Sequence, residues 1–181
     1  MIAEKYNLET LISAEEIKQR VKEIAADLSR KFSDEVPILI GILNGSFIFL
    51  ADLMRTMTIE CEMDFIKLAS YAGQSSTGTV KLVKDISADI TGRHVVIVED
   101  IVDSGLTIKF LRDRLTGAAP KSVTVVSLLM KPEVADLDFE IDYVGFKIPP
   151  DFVVGYGLDY NQKMRQLPAI YRITELDSNN G

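Results

Sequence analysis

Three nearly continuous apolar runs, Val36–Leu43, His94–Val98 and Val123–Met130, restrict the folds open to this chain more than any other feature. Each is too short for most helices and lacks the alternation of a strand with one wet face, so each reads as a strand covered on both sides. Val36–Leu43 leads through Asn44 and Gly45 into the apolar segment Ser46–Met57, which reads as a helix. His94–Val98 leads through an acidic, hydroxyl-rich loop into a helix with Ile108, Leu111 and Leu115 on one face. Upstream, Ser13 and Glu16 make a capping box for a helix reaching Arg30, with Ile17, Val21, Ile24 and Leu28 on its apolar side. Ile141–Phe146 supplies another strand. Repeated strand–loop–helix units predict an α/β fold, a parallel sheet flanked by helices, and 181 residues suffice for one such domain spanning 1–181.

Two segments depart from that rhythm. Ile59, Cys61, Met63 and Phe65 alternate with polar residues, the period of a strand with a wetter face. Between Ala69 and Thr79 the residues are small and polar with almost nothing to bury, which predicts a long flexible hairpin loop returning through an antiparallel strand, Val80–Ile86. Asp177–Gly181 reads as a loose tail.

The chain is 47% hydrophobic with a net charge of -7, a balance that argues for a packed core and against disorder. A pI of about 4.8 argues against a protein that coats nucleic acid through excess Lys and Arg. The most apolar stretch, Val36–Met54, is interrupted by Asn44, Gly45, Ser46 and Asp52, so no membrane span is expected. Glu4, Lys5 and Glu9 near the start do not make a secretion signal, and the expected location is cytoplasmic. A single cysteine, Cys61, and a single histidine, His94, exclude an internal disulfide and a multi-ligand zinc site; both residues are expected to be structural. A hard cation on carboxylate oxygens remains open.

In parallel-sheet folds ligands bind at the carboxyl ends of the strands, which directs attention to the loops after Leu43, Val98 and Met130. The second loop, Glu99-Asp100-Ile101-Val102-Asp103-Ser104-Gly105-Leu106-Thr107, places three carboxylates within five residues. Such crowding costs Coulomb energy unless a cation, a proton or a cationic group offsets it. Ser104, Gly105 and Thr107 open the following helix with unpaired backbone N–H groups, two hydroxyls and no side chain at Gly105, which suits a phosphate monoester. A solvated acidic loop, with Asp103 or Ser104 as a helix cap, is the plain alternative.

This segment resembles the signature of phosphoribosyltransferases, in which an apolar strand, two acids and an Asp-Ser/Thr-Gly-x-Thr loop bind 5-phosphoribosyl-1-pyrophosphate. Gly41-Ile42-Leu43-Asn44-Gly45-Ser46, Ser70-Tyr71, Lys131, and Asp151-Phe152-Val153-Val154-Gly155-Tyr156-Gly157-Leu158-Asp159-Tyr160 with Arg165 resemble one branch, the hypoxanthine-guanine phosphoribosyltransferases. The resemblance covers residues 41 to 165 and implies that family's fold, including a small hood region beside the sheet. It also implies Mg²⁺, the substrates phosphoribosyl pyrophosphate, hypoxanthine and guanine, and a homo-oligomer, dimer or tetramer.

By the resemblance, Glu99 and Asp100 hold the ribose hydroxyls directly or through Mg²⁺. Asp103, Ser104, Gly105, Leu106 and Thr107 wrap the 5′-phosphate, and Asp103 is the general base near N7 of the purine. Asn44 and Gly45 aim backbone N–H groups at pyrophosphate, although family members often carry a basic residue where this chain has Asn44, and the peptide before it is often cis. Lys131 donates to O6 of a 6-oxopurine, Phe152 faces the base, and Val153 presents its backbone to the purine edge. Asp159 reaches a second Mg²⁺, making Glu99, Asp100 and Asp159 the metal ligands, and Arg165 binds pyrophosphate. Ser70 and Tyr71 lie in a loop that closes over the site. Two other classes share parts of the pattern: a nucleotide-sensing regulator that binds RNA, and a receiver domain with clustered aspartates.

Overall fold

The computed structural model describes residues 6–71 and 79–175. Its elements run β1 (Tyr6–Ile12), α1 (Ala14–Lys31), β2 (Ile38–Leu43), α2 (Phe47–Thr56), β3 (Glu62–Tyr71), β4 (Thr79–Lys84), β5 (His94–Val102), α3 (Leu106–Thr116), β6 (Ser122–Met130), β7 (Tyr143–Lys147), β8 (Val153–Val154) and β9 (Ile170–Glu175). Six strands form one sheet in the order β4-β3-β2-β5-β6-β7, parallel except where β4 pairs antiparallel with β3. This is the expected α/β architecture.

Alternation along the central strands splits the core into two layers. Leu39, Val96 and Val98 face α1 and α2 with Leu28, Phe49 and Leu53, whereas Ile38, Ile40, Val95 and Ile97 face α3 with Ile108, Leu111 and Leu115. A strand buried on both faces has no position for a polar residue, which is why β2 and the first half of β5 read as unbroken apolar runs. Helix α1 starts where the sequence predicts: Ser13 Oγ accepts from the Glu16 N–H while Glu16 accepts from the Ser13 N–H.

The chain runs from β2 to β3 on one side and later enters β5 on the other side of β2. The loops after β2 and β5 therefore diverge at a topological switch point, where the sheet opens a crevice. A second, three-stranded sheet, β1-β9-β8, forms the hood beside it. Arg172 on β9 pins that sheet through Asp151 (2.5 Å) and Glu9 on β1 (3.0 Å).

Several boundaries shift. The strand expected at Ile59–Phe65 begins only at Glu62, pairing in parallel with Ile38, and Pro37, which has no N–H to give a ladder, stays outside β2. Strand β5 continues four residues past Val98, so Glu99 and Asp100 are strand residues and not a loop after a strand. The antiparallel return strand is present as β4; residues 72–78 of the hairpin loop, the side chains of Ser70 and Tyr71, and the tail 177–181 lie outside the described residues. His94 bonds Ser122 through its ring (2.6 Å) and packs on Phe32, and Cys61 packs against the core as a half-buried free thiol. Among the described residues, no helix is long and apolar enough to cross a membrane.

Asp64 on β3 holds the segment that returns toward β5. Burial alone would raise its carboxyl, but N–H groups of Ser87 (2.5 Å), Phe65 (2.6 Å) and Ala88 (3.0 Å) and the Lys84 ammonium (3.3 Å) outweigh burial and lower it to about 2. A carboxyl lower in the folded than in the unfolded chain stabilises the fold above its unfolded value near 4, and that contribution fades as pH falls toward 2; it amounts to roughly 2 kcal/mol. Asp64→Asn is accordingly expected to lower the urea midpoint at pH 7 but to match the parent at pH 2, and denaturant titrations at both pH values check this.

Candidate active site

Two adjacent acids on β5 meet at the strand tip, where each carboxyl acts on the other. Glu99, 7% exposed, lines a recess of about 70 Å³ together with Asp103, Ser104, Gly105 and Thr107, and its Oε2 has no hydrogen-bond partner among the described residues. Burial raises Glu99 well above the usual carboxylate range, and the charge and carboxyl of Asp100 push it further. Asp100 reaches the turn after β2: a Cβ placed on Gly45 would lie 1.6 Å from Asp100 Oδ2. Burial raises Asp100 to about 6, held back by the N–H groups of Asp100 and Ile101 and by the Arg165 charge. Two carboxyls that burial drives toward the neutral form, one with an orphaned oxygen, make a donor set suited to a hard cation that can take over the cost of their ionisation.

The phosphate-loop residues surround the start of α3. Gly105 is the N-cap in the left-handed region, at φ 87°, and no side chain from the cap bonds the first turn. The left-handed turn and the proximity of Leu137, whose Cδ2 lies 2.6 Å from where a Cβ would stand, both require glycine here. Asp103 and Ser104 are exposed, and Asp136 N–H donates to Ser104 O at 3.1 Å, tying the loop after β6 to this one. Asp103 does not cap the helix, whose N-cap is Gly105; its carboxylate lies 3.3 Å from the Lys131 ammonium, and of the two cap candidates it is Ser104 whose hydroxyl accepts from the Leu106 N–H, at 3.5 Å. Lys131 is only 9% exposed, which is unusual for lysine and marks it as more than a surface charge.

On the opposite wall, the Leu43–Asn44 peptide is cis, Asn44 is exposed, and Gly45 is buried. Behind Gly45 stands Gly157, φ 104°, where a Cβ would fall 2.0 Å from Gly45 O. Arg165 donates to Gly157 O (2.7 Å) and pairs with Asp159 (2.6 Å), whose carboxylate also accepts from the Gln162 N–H (2.7 Å). Asp159 is thus committed to Arg165, and among the described residues no three His, Cys, Asp or Glu side chains converge as a metal cage. Phe152 is 55% exposed, its ring set edge-on to Tyr160 at 5.8 Å, while Val153 is buried in β8. A Phe this exposed is not a core residue. Backbone pairing sets Ser70 opposite Val80 and Tyr71 opposite Thr79, at the far end of β3.

Sequence reasoning assigned no role to Tyr156, Asp52 or Leu137. Leu137 abuts the phosphate loop, and Tyr156 donates to Asp52 Oδ2 at 2.7 Å across 104 residues. Only the Gly155–Gly157 pair around Tyr156 signalled an unusual backbone there.

Comparison with known proteins bears on the whole of this arrangement. The Phosphoribosyl transferase domain family matches residues 8–161. The hypoxanthine-guanine phosphoribosyltransferase of Bacillus subtilis (strain 168) is 44% identical over 168 residues, 92% of this chain and 93% of that protein. The crystal structure of a hypoxanthine-guanine phosphoribosyltransferase from Bacillus anthracis str. 'Ames Ancestor' matches with a TM-score of 0.88 at 46% identity, covering 92% of this chain and 98% of the other. A hypoxanthine phosphoribosyltransferase from Trypanosoma cruzi, solved with the product IMP, matches with a TM-score of 0.85 at 38% identity over 94% of each chain. Since these matches run through the acidic strand, the glycine-capped helix start and the hood alike, the chain belongs to the hypoxanthine-guanine phosphoribosyltransferase family.

Proposed function

We propose that this chain is a purine-salvage enzyme that moves the 5-phosphoribosyl group from phosphoribosyl pyrophosphate to hypoxanthine or guanine, giving IMP or GMP and pyrophosphate. The observation that carries this reading is the recess lined by Glu99 and the start of α3, where acids meet the backbone of a helix whose N-cap is a glycine.

Amides and hydroxyls of Ser104–Thr107 take the 5′-phosphate, with Gly105 letting the backbone approach. Glu99 and Asp100, side by side at the strand tip, hold the ribose hydroxyls. Mg²⁺, when bound, would rest on the oxygens of Glu99 and Asp100 and neutralise charge on the departing pyrophosphate; Asp159 would join them only by parting from Arg165. As the C1–pyrophosphate bond breaks, positive charge grows on the ribose ring, and the nearby carboxylates favour it. Asn44 and Gly45 present backbone to the pyrophosphate, and Arg165 supplies its charge. The purine lies against Phe152, its edge beside the Val153 backbone, with O6 accepting from Lys131 and N7 facing Asp103, which removes the proton as the new C–N bond forms. Closure of the loop carrying Ser70 and Tyr71 would exclude water from the cationic ribose. A cytoplasmic homo-oligomer, dimer or tetramer, belongs to the same reading.

Incubation with phosphoribosyl pyrophosphate, Mg²⁺ and each purine tests it: IMP and GMP should form with stoichiometric pyrophosphate, and chelation should abolish turnover until Mg²⁺ is restored. Absence of product from every 6-oxopurine rejects the proposal. RNA retardation without transfer would favour the regulator, and labelling by a small phosphodonor the receiver.

The close approach of Gly45 to Asp100 gives a sharper expectation. Gly45→Ala sets a methyl group onto the Asp100 carboxylate, so kcat/KM for phosphoribosyl pyrophosphate should fall at least about tenfold. Steady-state kinetics with the donor varied check it.

A further inference from the structure

The residues assigned to the donor on the hood side are held in place by a chain segment with little regular structure. Gly155, Tyr156 and Gly157 all have positive φ, at 99°, 48° and 104°. Such a run cannot hold itself, because each peptide turns away from both helix and ladder. Its backbone is fixed by bonds to Leu158, Leu167 and Arg165: Gly155 N–H donates to Leu158 O (3.0 Å), Tyr156 N–H to Leu167 O (2.8 Å), and Gly157 N–H to Arg165 O (3.0 Å). All three partners lie on the same side of the crevice, within the segment that follows. A side-chain hydrogen bond ties this tripeptide to the main sheet layer: Tyr156 Oη donates to Asp52 Oδ2 on α2 at 2.7 Å.

That position explains a tyrosine where a glycine would be easier. Tyr156 is 7% exposed, its ring is part of the core under α1 and α2, and its hydroxyl looks into a groove of about 520 Å³ between those helices and Leu167. Burial first, then the bond to Asp52 and its charge, raise the phenol above its ordinary range, so it remains a donor at any working pH. The charged groups around the groove are Lys18 and Lys22 on α1 and Arg55 on α2; Arg55 lies 3.8 Å from Asp52 Oδ1, leaving Oδ2 to the phenol.

The consequence lies one residue away. Gly157 touches Gly45 O from behind and accepts from Arg165 through its own carbonyl. Gly45 in turn abuts Asp100. We infer that Asp52 and Tyr156 are positioning residues for the pyrophosphate end of the donor: their hydrogen bond sets the distance between α2 and the Gly155–Gly157 turn, and through it the placement of Arg165 and the Asn44–Gly45 peptide. The inference rests on the transferase reading above. It concerns donor binding first, because Gly157 bears directly on Gly45 and Arg165, whereas Lys131 and Asp103 hang from β6 and β5, and Phe152 and Val153, which precede the turn, are held by the pairing of β8 with β9.

Tyr156→Phe, which removes one oxygen and keeps the ring, tests the inference beside Asp52→Ala and Asp52→Asn. Loss of the bond is expected to raise KM for phosphoribosyl pyrophosphate about tenfold, with kcat and the KM for hypoxanthine within about threefold of the parent. Asp52→Asn keeps an acceptor and should stay within about twofold of the parent, while Tyr156→Phe combined with Asp52→Ala should be no worse than either alone. Unchanged donor KM in Tyr156→Phe and Asp52→Ala overturns the inference, as does a uniform loss of all parameters tracking a lowered melting temperature. Inactive parent protein in the same assay would instead overturn the transferase reading, with donor affinity then read by calorimetry using pyrophosphate itself.

Discussion

Asp103→Asn should lower kcat by about 10²- to 10⁴-fold while changing nucleotide affinity less than about tenfold. The carboxylate sits exposed at the crevice, 3.3 Å from the Lys131 ammonium. Asparagine keeps the shape and an oxygen facing that ammonium, so the ground state changes little. What it cannot do is take the proton from the purine as the glycosidic bond forms, and that loss is felt in the transition state. The ion pair itself adds little to stability, since its acid is more than half exposed and exposed pairs contribute about 0–1 kcal/mol. A melting temperature close to the parent's is therefore part of the expectation. Equal losses in turnover and in IMP affinity would assign Asp103 to binding and not to proton transfer.

The second large effect runs in opposite directions for stability and activity. Glu99→Gln should raise the melting temperature of the ligand-free protein at pH 7.5 and abolish measurable transfer. Glu99 is buried with an unpartnered oxygen, and its carboxyl is raised mainly by that burial, then by Asp100. A carboxyl higher in the folded than in the unfolded chain costs stability once pH exceeds its unfolded value, and the cost grows until pH reaches the folded value. Asp100, raised to about 6, adds to this cost between about pH 4 and 6. The glutamine amide carries no charge and can donate to Asp100, which relieves both; an unsatisfied buried group costs roughly 1–3 kcal/mol, or about 2–10 °C in a chain of this length. Melting curves from pH 4 to 8 should show the parent losing stability relative to the variant as pH rises. A variant less stable than the parent across that range would mean that Glu99 has a partner in solution.

Much of the sheet was legible because burial on both faces leaves an unmistakable composition. Leu39 and Ile40 go to different layers, yet both must be apolar, so β2 announces itself. The hood was not legible in its parts. β1 reads Tyr-Asn-Leu-Glu-Thr-Leu-Ile with a half-exposed pattern, and its partner β9 lies more than 150 residues away, so neither strand carries a local signal of the pairing. The end of β5 misled for a different reason. Two acids after Val98 break the hydrophobic period, and only the tertiary structure shows that they continue the ladder, with Glu99 opposite Ser127. A strand that carries charge into the crevice sacrifices the pattern that would reveal it.

The candidate site divides in the same way. Glu99 through Thr107 form one contiguous stretch whose residue types state their chemistry. Lys131 and Arg165 needed the family resemblance, and the structure adds reasons of its own: one is nearly buried and faces Asp103, the other braces Gly157. Tyr156 and Asp52 escaped because a single tyrosine in a core and a single aspartate on a helix are individually ordinary; their meaning lies in a 2.7 Å contact.

A crystal structure with IMP bound is the most direct test of the pocket on which these expectations depend. The phosphate should lie within hydrogen-bond distance of the backbone N–H groups of Ser104–Thr107, O6 beside Lys131 Nζ, and N7 facing Asp103. A nucleotide seated elsewhere, or one whose phosphate avoids the start of α3, would contradict the account.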